Sequence, residues 1–209
     1  AVAAAPAGAA TCESLSGLSL ARTTVTLARD VAAGAFTAPA GERGASITDL
    51  PAFCRVQATL TPTSDSNIKM EIWMPVTRWN GKLRGRGNGG LGGGAGVNPG
   101  ALANGLRRGY ATAGNNTGHE GDSSYAMSHP EQIKDFGYRA AHEMTIASKA
   151  IIAAYYGIGP RGSYVAEGGG GTIAALSAAQ RYPEDYDVIS ITGMLSYLTG
   201  HTFGQVCSW

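Results

Sequence analysis

A chain of 209 residues, 44 % of them apolar and 15 % charged, has enough hydrophobic material for one domain with a full core, and this balance excludes a disordered chain. A net charge of +1 leaves no basic stripe of the kind that broad nucleic-acid binding requires, and no apolar run reaches the length of a membrane-spanning helix. The 31 glycines concentrate at 81–100 and 167–171, a clustering that points to functional loops more than to a linker.

The first ten residues are mostly Ala, like the small-residue end of an exported leader, and residues 1–11 are expected to be flexible. Of the three cysteines, Cys12 and Cys54 would close one loop and staple the N-terminal region to the core, which leaves Cys207 over. Thr23 to Leu27 reads as a strand, 34–44 as a loop, and Leu50 to Leu60 as a second strand. In 69–75, Met70, Ile72 and Met74 alternate with Lys69, Glu71 and Trp73, the pattern of a half-buried strand. Trp79-Asn80-Gly81 makes a turn into a short strand over 83–87. Pro99 opens a helix to Arg108, and 109–114 is a strand of small residues. Asn115-Asn116-Thr117 is a glycosylation sequon. Asp135 is expected to cap a long helix carrying Ala140, Met144, Ala147, Ile151 and Tyr155 at helical spacing, with Gly157 stopping it. A strand at 164–165, a helix from Thr172 to Arg181 and a strand over 188–192 complete the pattern. Strands alternating with helices imply βαβ units and a largely parallel sheet.

Residues 163 to 187 organise the rest. A β-favouring run enters Gly168-Gly169-Gly170-Gly171, and an alanine-rich helix leaves them until Tyr182-Pro183 ends it. Strand, tight glycine turn and helix make the shape of a nucleophile elbow, in which glycines allow close backbone approach. Ligands of such sheets bind outside the carboxyl ends of the strands. The cluster Gly87 to Gly94 also follows a strand and matches a loop that supplies one oxyanion N–H. A phosphate loop is the rival reading of these glycines, but no Gly-Lys-Ser/Thr ending is present. No His/Cys/Asp cluster has metal-ligand spacing, and no cofactor is expected.

Leu50-Pro51-Ala52-Phe53-Cys54-Arg55-Val56, Trp79-Asn80-Gly81-Lys82, Gly87-Asn88-Gly89-Gly90, Thr117-Gly118-His119, His129-Pro130-Glu131, Asp135 to Ala140, His142-Glu143-Met144-Thr145 and Ala179 to Asp187 occur in one order. In these pieces the chain resembles the tannase/feruloyl esterase family, whose relatives include mono(hydroxyethyl) terephthalate hydrolase. The resemblance implies an α/β-hydrolase fold with helices on both faces of the sheet. It also implies hydrolysis of esters of aromatic acids, outside the cytoplasm, so that the chain is secreted or periplasmic. On this reading residues 1–209 are the N-terminal portion of a single catalytic domain, truncated before the lid and the last strands. The partner is a small-molecule aromatic ester, with no nucleic acid and no membrane.

The family elbow reads Gly-Cys-Ser-x-Gly-Gly. By resemblance its serine falls on Gly169, its cysteine on Gly168 and the residue after the serine on Gly170, while family glycines fall on Glu167 and Thr172. Gly170, Gly89 and Gly90 are the candidate oxyanion donors. The nucleophile is absent, and so is the cysteine that the family bonds to one beside its catalytic histidine. The family's aspartate and histidine align beyond Trp209. Ser177, Ser163, His119 and His142 are the candidates for substitutes, and none is expected on the sharp turn. Glu184, Asp185 and Asp187 read as a solvated corner. The expectation is an inactive chain or a non-catalytic relative that binds aromatic esters, and one that self-associates through an uncovered sheet edge at 188–192.

Overall fold

A computed structural model of the chain describes residues 10–38, 47, 49–87, 97–121 and 123–194. Its strands are β1 (Thr23–Val31), β2 (Phe53–Leu60), β3 (Ile68–Pro75), β4 (Lys82–Gly85), β5 (Ala111–Asn115), β6 (Gly162–Gly169) and β7 (Val188–Met194). They form one seven-stranded sheet in the order β1-β2-β3-β5-β4-β6-β7. β1, β2, β3 and β5 pair antiparallel in that sequence, whereas β5, β4, β6 and β7 are parallel to one another. The α/β-hydrolase-like class therefore holds. The sheet is mixed because its N-terminal strands pair antiparallel, and only its C-terminal half is built from helical crossovers.

The helices are α1 (Pro99–Arg107), α2 (Pro130–Lys134), α3 (Ala140–Tyr156) and α4 (Thr172–Arg181). In α1, Pro99 takes the first helical position and the Asn98 side chain accepts the Gly100 N–H at 2.9 Å. α3 stops at Gly157, whose φ of +73° places it in the left-handed region. α4 stops at Tyr182, the residue before Pro183.

Side-chain alternation on the central strands divides the core between the two faces. Val56, Ile72, Met74, Leu83 and Ala113 pack beneath Met144, Ile151 and Ile152 of α3. Phe53 and Trp73 point the other way and pack against Leu102 and Leu106 of α1. The half-buried reading of 69–75 is thus corrected. Glu71 and Trp73 are also buried, because α1 and the Arg55 side chain cover the face expected to meet solvent. Glu71 is satisfied there by Arg55 Nε at 2.6 Å, Gln57 Nε2 at 2.7 Å and Trp73 Nε1 at 2.5 Å.

Asp135 is a second correction. It does not cap the start of α3: it lies inside a continuous helical run, at the end of α2, and opens a π-helical turn (Asp135–Arg139) between α2 and α3. Its carboxylate is buried and pairs with Arg139 Nε at 2.5 Å, and that ion pair holds it inside. Cys12 and Cys54 are disulfide-bonded, with Cα atoms 5.6 Å apart, and staple the 3₁₀ turn Glu13–Gly17 to β2. Cys207 lies outside the described residues. The sequon Asn115 is buried in β5 and directs its amide at Met144 Sδ, 3.3 Å away. Among the described residues no helix is long and apolar enough to cross a membrane.

Candidate functional site at the glycine rim

β4 and β6 are parallel neighbours, so their carboxyl ends reach the same rim of the sheet. β6 ends at Gly169, whose φ is +57°. Gly170 and Gly171 turn the chain, and α4 begins at Thr172, whose hydroxyl donates to the Gly169 carbonyl at 2.6 Å. A strand thus passes through a left-handed residue directly into a ten-residue helix, whose positive N-terminal end faces the rim. A Cβ placed on Gly169 would meet nothing within 4 Å. Space for a side chain therefore exists at the apex, and only the left-handed backbone disfavours one.

β4 runs into Gly87, where a Cβ would lie 2.8 Å from the Gly171 carbonyl oxygen and 3.1 Å from its Cα. The two glycine segments touch backbone to backbone, which no residue larger than glycine at 87 permits. Of the proposed oxyanion donors, Gly170 immediately precedes the contacting Gly171, and Gly89 and Gly90 lie outside the described residues.

Glu167 closes the gap between the two segments. Its Oε1 accepts the Gly87 N–H at 3.0 Å and lies 3.2 Å from Arg86 Nη1. Burial pushes its carboxyl above the ordinary glutamate value, against the opposing pull of Arg86 and the Gly87 N–H. Beneath them Gly85 sits against the Tyr186 ring, with a Cβ position 2.9 Å from Cε1, so the ring packs flush against the end of β4. Burial raises the Tyr186 phenol well above its ordinary value, and the phenol hydrogen-bonds Thr145 Oγ1 at 2.7 Å.

The possible substitutes for a nucleophile or base are held elsewhere. Ser163 begins β6 at the far rim, where its N–H donates to Asp187 Oδ2 at 2.7 Å. Ser177 on α4 donates to the Gly137 carbonyl at 3.1 Å. His119 follows β5 and is buried, stacked on Tyr125 at 3.7 Å. His142 stacks on Tyr182 at 3.6 Å, and its Nδ1 lies 2.9 Å from Asp185 Oδ2. Asp185 is therefore no solvated corner: it is 3 % exposed, and His142 and the Tyr182 ring hold it in the interior. Glu184 and Asp187 are exposed as expected. One cluster of potential metal ligands occurs among the described residues, Cys12, Asp30 and Cys54, and its two sulfurs are bonded to each other.

The family model for tannase and feruloyl esterase matches residues 54–199, a span that includes both glycine segments and the strands carrying them. The chain belongs to this family. It is 41 % identical over 189 residues to an uncharacterised esterase of Xanthomonas campestris pv. campestris, covering 86 % of this chain and 31 % of that protein. A probable feruloyl esterase B-1 of Neosartorya fischeri is 34 % identical over 158 residues, covering 75 % of this chain and 29 % of that one. Among solved structures, feruloyl esterase B from Aspergillus oryzae superposes with a TM-score of 0.73 at 30 % identity, over 86 % of this chain and 36 % of its own. The chain thus spans about a third of the length of these relatives.

Glu167 is the functional-rim residue that motif reading undervalued. It was visible only as a departure from a family glycine, and nothing local in the sequence pairs it with Arg86, 81 positions earlier.

Proposed function

We propose that this chain is the N-terminal part of the catalytic domain of a carboxylic ester hydrolase for aromatic-acid esters, secreted or periplasmic, whose elbow has lost its nucleophile. The observation that carries the reading is Gly169: a left-handed residue at the junction of β6 and α4, against a second glycine segment, with open space where a side chain would project. A serine there would aim its hydroxyl from the rim, and the Gly170 N–H would follow it into the helix, the relation an acyl-transfer site needs. With hydrogen in place of the hydroxymethyl group no acyl-enzyme forms. Loss of a triad serine lowers turnover by roughly six orders of magnitude, and oxyanion donors and binding alone leave about 10³–10⁴ over water. The Cys12–Cys54 bond supports an oxidising compartment.

The glycine at the apex also favours a second reading, a non-catalytic relative that holds an aromatic ester without cleaving it. One experiment addresses both. Hydrolysis of a chromogenic aryl ester by the purified chain is expected to match buffer. Turnover well above buffer that a serine-directed inhibitor abolishes would overturn the disabled elbow. Saturable binding of ethyl ferulate without turnover would select the second reading.

A further inference from the structure

At the rim opposite the glycines, a cavity of about 570 Å³ opens between the segment leading into β2, the end of β3 and the end of α1. Its volume lies within the range of small-molecule sites, about 300–1,000 Å³. The floor is apolar: Leu50 and Leu106 are 3 % and 1 % exposed, and Pro51 and Pro75 flank them. The walls are cationic. Arg78, Arg107 and Arg108 all line the cavity, and a single carboxylate, Asp49, lies among them.

Asp49 is already engaged. It pairs with Arg107, whose hydrogen bond holds its carboxyl below the usual aspartate range. Neither Arg78 nor Arg108 has an acidic partner among the described residues.

The frame is fixed without a ligand. The Tyr156 hydroxyl donates to the Pro75 carbonyl at 2.6 Å. Asn80 donates through Nδ2 to the Arg108 carbonyl at 3.0 Å and through its backbone N–H to the Gly109 carbonyl at 2.9 Å. Arg78 holds a φ of +60°, rare for a side chain of its size. Its carbonyl would lie 2.7 Å from a Cβ on Gly109, itself at φ +78°, so only glycine lets these two segments close. Non-glycine residues held in this region of backbone space cluster at ligand clamps.

We infer that this cavity binds a small organic monoanion, a carboxylate carried on an apolar ring or chain, at a site separate from the glycine rim. Guanidinium groups match the planar carboxylate with paired N–H donors, and the leucine and proline floor takes the apolar body. The inference is independent of whether Gly169 marks a disabled esterase.

Benzoate is the probe, titrated into the whole chain by calorimetry and by amide chemical shifts. Saturable binding is expected, with amide shifts confined to Asp49, Leu50, Val76, Thr77, Arg78 and 106–109. Arg78→Gln and Arg108→Gln are each expected to weaken it by about tenfold, with circular dichroism and melting temperature unchanged because both side chains are exposed. Benzyl alcohol, which has the ring without the charge, and inorganic phosphate, which has charge without the ring, are expected to bind more weakly than benzoate. Benzoate binding that does not saturate would overturn the inference. So would an affinity unaltered in both arginine variants, or phosphate binding as tightly as benzoate. Arg78→Lys, which keeps charge but loses the fork, is expected to fall between wild type and Arg78→Gln.

Discussion

At position 167 a carboxylate stands where the family resemblance places a glycine, and it fills the seam between the two glycine segments through Gly87 and Arg86. Burial raises its pKa, so the folded chain keeps this proton to higher pH than the unfolded chain does. The folded state then binds more protons across that interval, and the sign follows: this contribution to stability is present at and below the ordinary glutamate value of 4.5 and is lost as pH rises through the raised value. Glu167→Gln keeps an oxygen to accept the Gly87 N–H but cannot titrate. Urea unfolding measured from acid to neutral pH should show the wild type losing stability across this window, with that component missing from the variant. Parallel profiles would mean that Glu167 titrates as it does in the unfolded chain.

At the scale of elements, the long helix α3 and the elbow helix α4 are joined by polar contacts more than by a large apolar interface. His142 of α3 pairs with Asp185 just past α4, Thr145 meets Tyr186, and Ser177 of α4 reaches back to the π-helical turn at Gly137. His142→Ala removes the partner of a buried carboxylate and should cost about 2–3 kcal/mol in urea unfolding. His142→Phe keeps the stack on Tyr182 and should recover only part of that loss. The strand at β3, the proline that opens α1, the stop at Gly157 and the strand-turn-helix at 164–181 were all legible, because each depends on residues close in sequence. The burial of Asp185 and the interior position of Asp135 were not. Asp185 depends on His142, 43 positions earlier, and an acidic residue in a run such as Pro183-Glu184-Asp185 carries no local sign of which carboxylate turns inward. Asp135 has its arginine four residues on, but which face of that helical run is buried is set by the fold. The Glu71 face of β3 was misread for the same reason, since Arg55 comes from a neighbouring strand.

Across the whole molecule the sheet has two edges among the described residues, where β1 pairs with β2 alone and β7 pairs with β6 alone. Val188 of β7 is 47 % exposed, and a parallel edge of seven residues offers unpaired backbone donors and acceptors. Sedimentation of the purified chain should show concentration-dependent association, and a lysine at Ser190 or Thr192 should shift it towards monomer by charging that edge. A wild-type chain that stays monomeric at high concentration would remove the β7 edge as an adhesive surface. The order of strands, with β5 inserted between β3 and β4, was not readable from the chain, because pairing partners distant in sequence are chosen by the crossovers. Asn115 gives this architecture a practical consequence for production. Its amide lies in the interior beside Met144, so a glycan transferred to the nascent polypeptide in a eukaryotic secretory host would keep β5, the fourth strand from the β1 side, from docking. Expression in a host without that machinery, or Thr117→Val to erase the acceptor signal, avoids a population of chains tagged before they can fold.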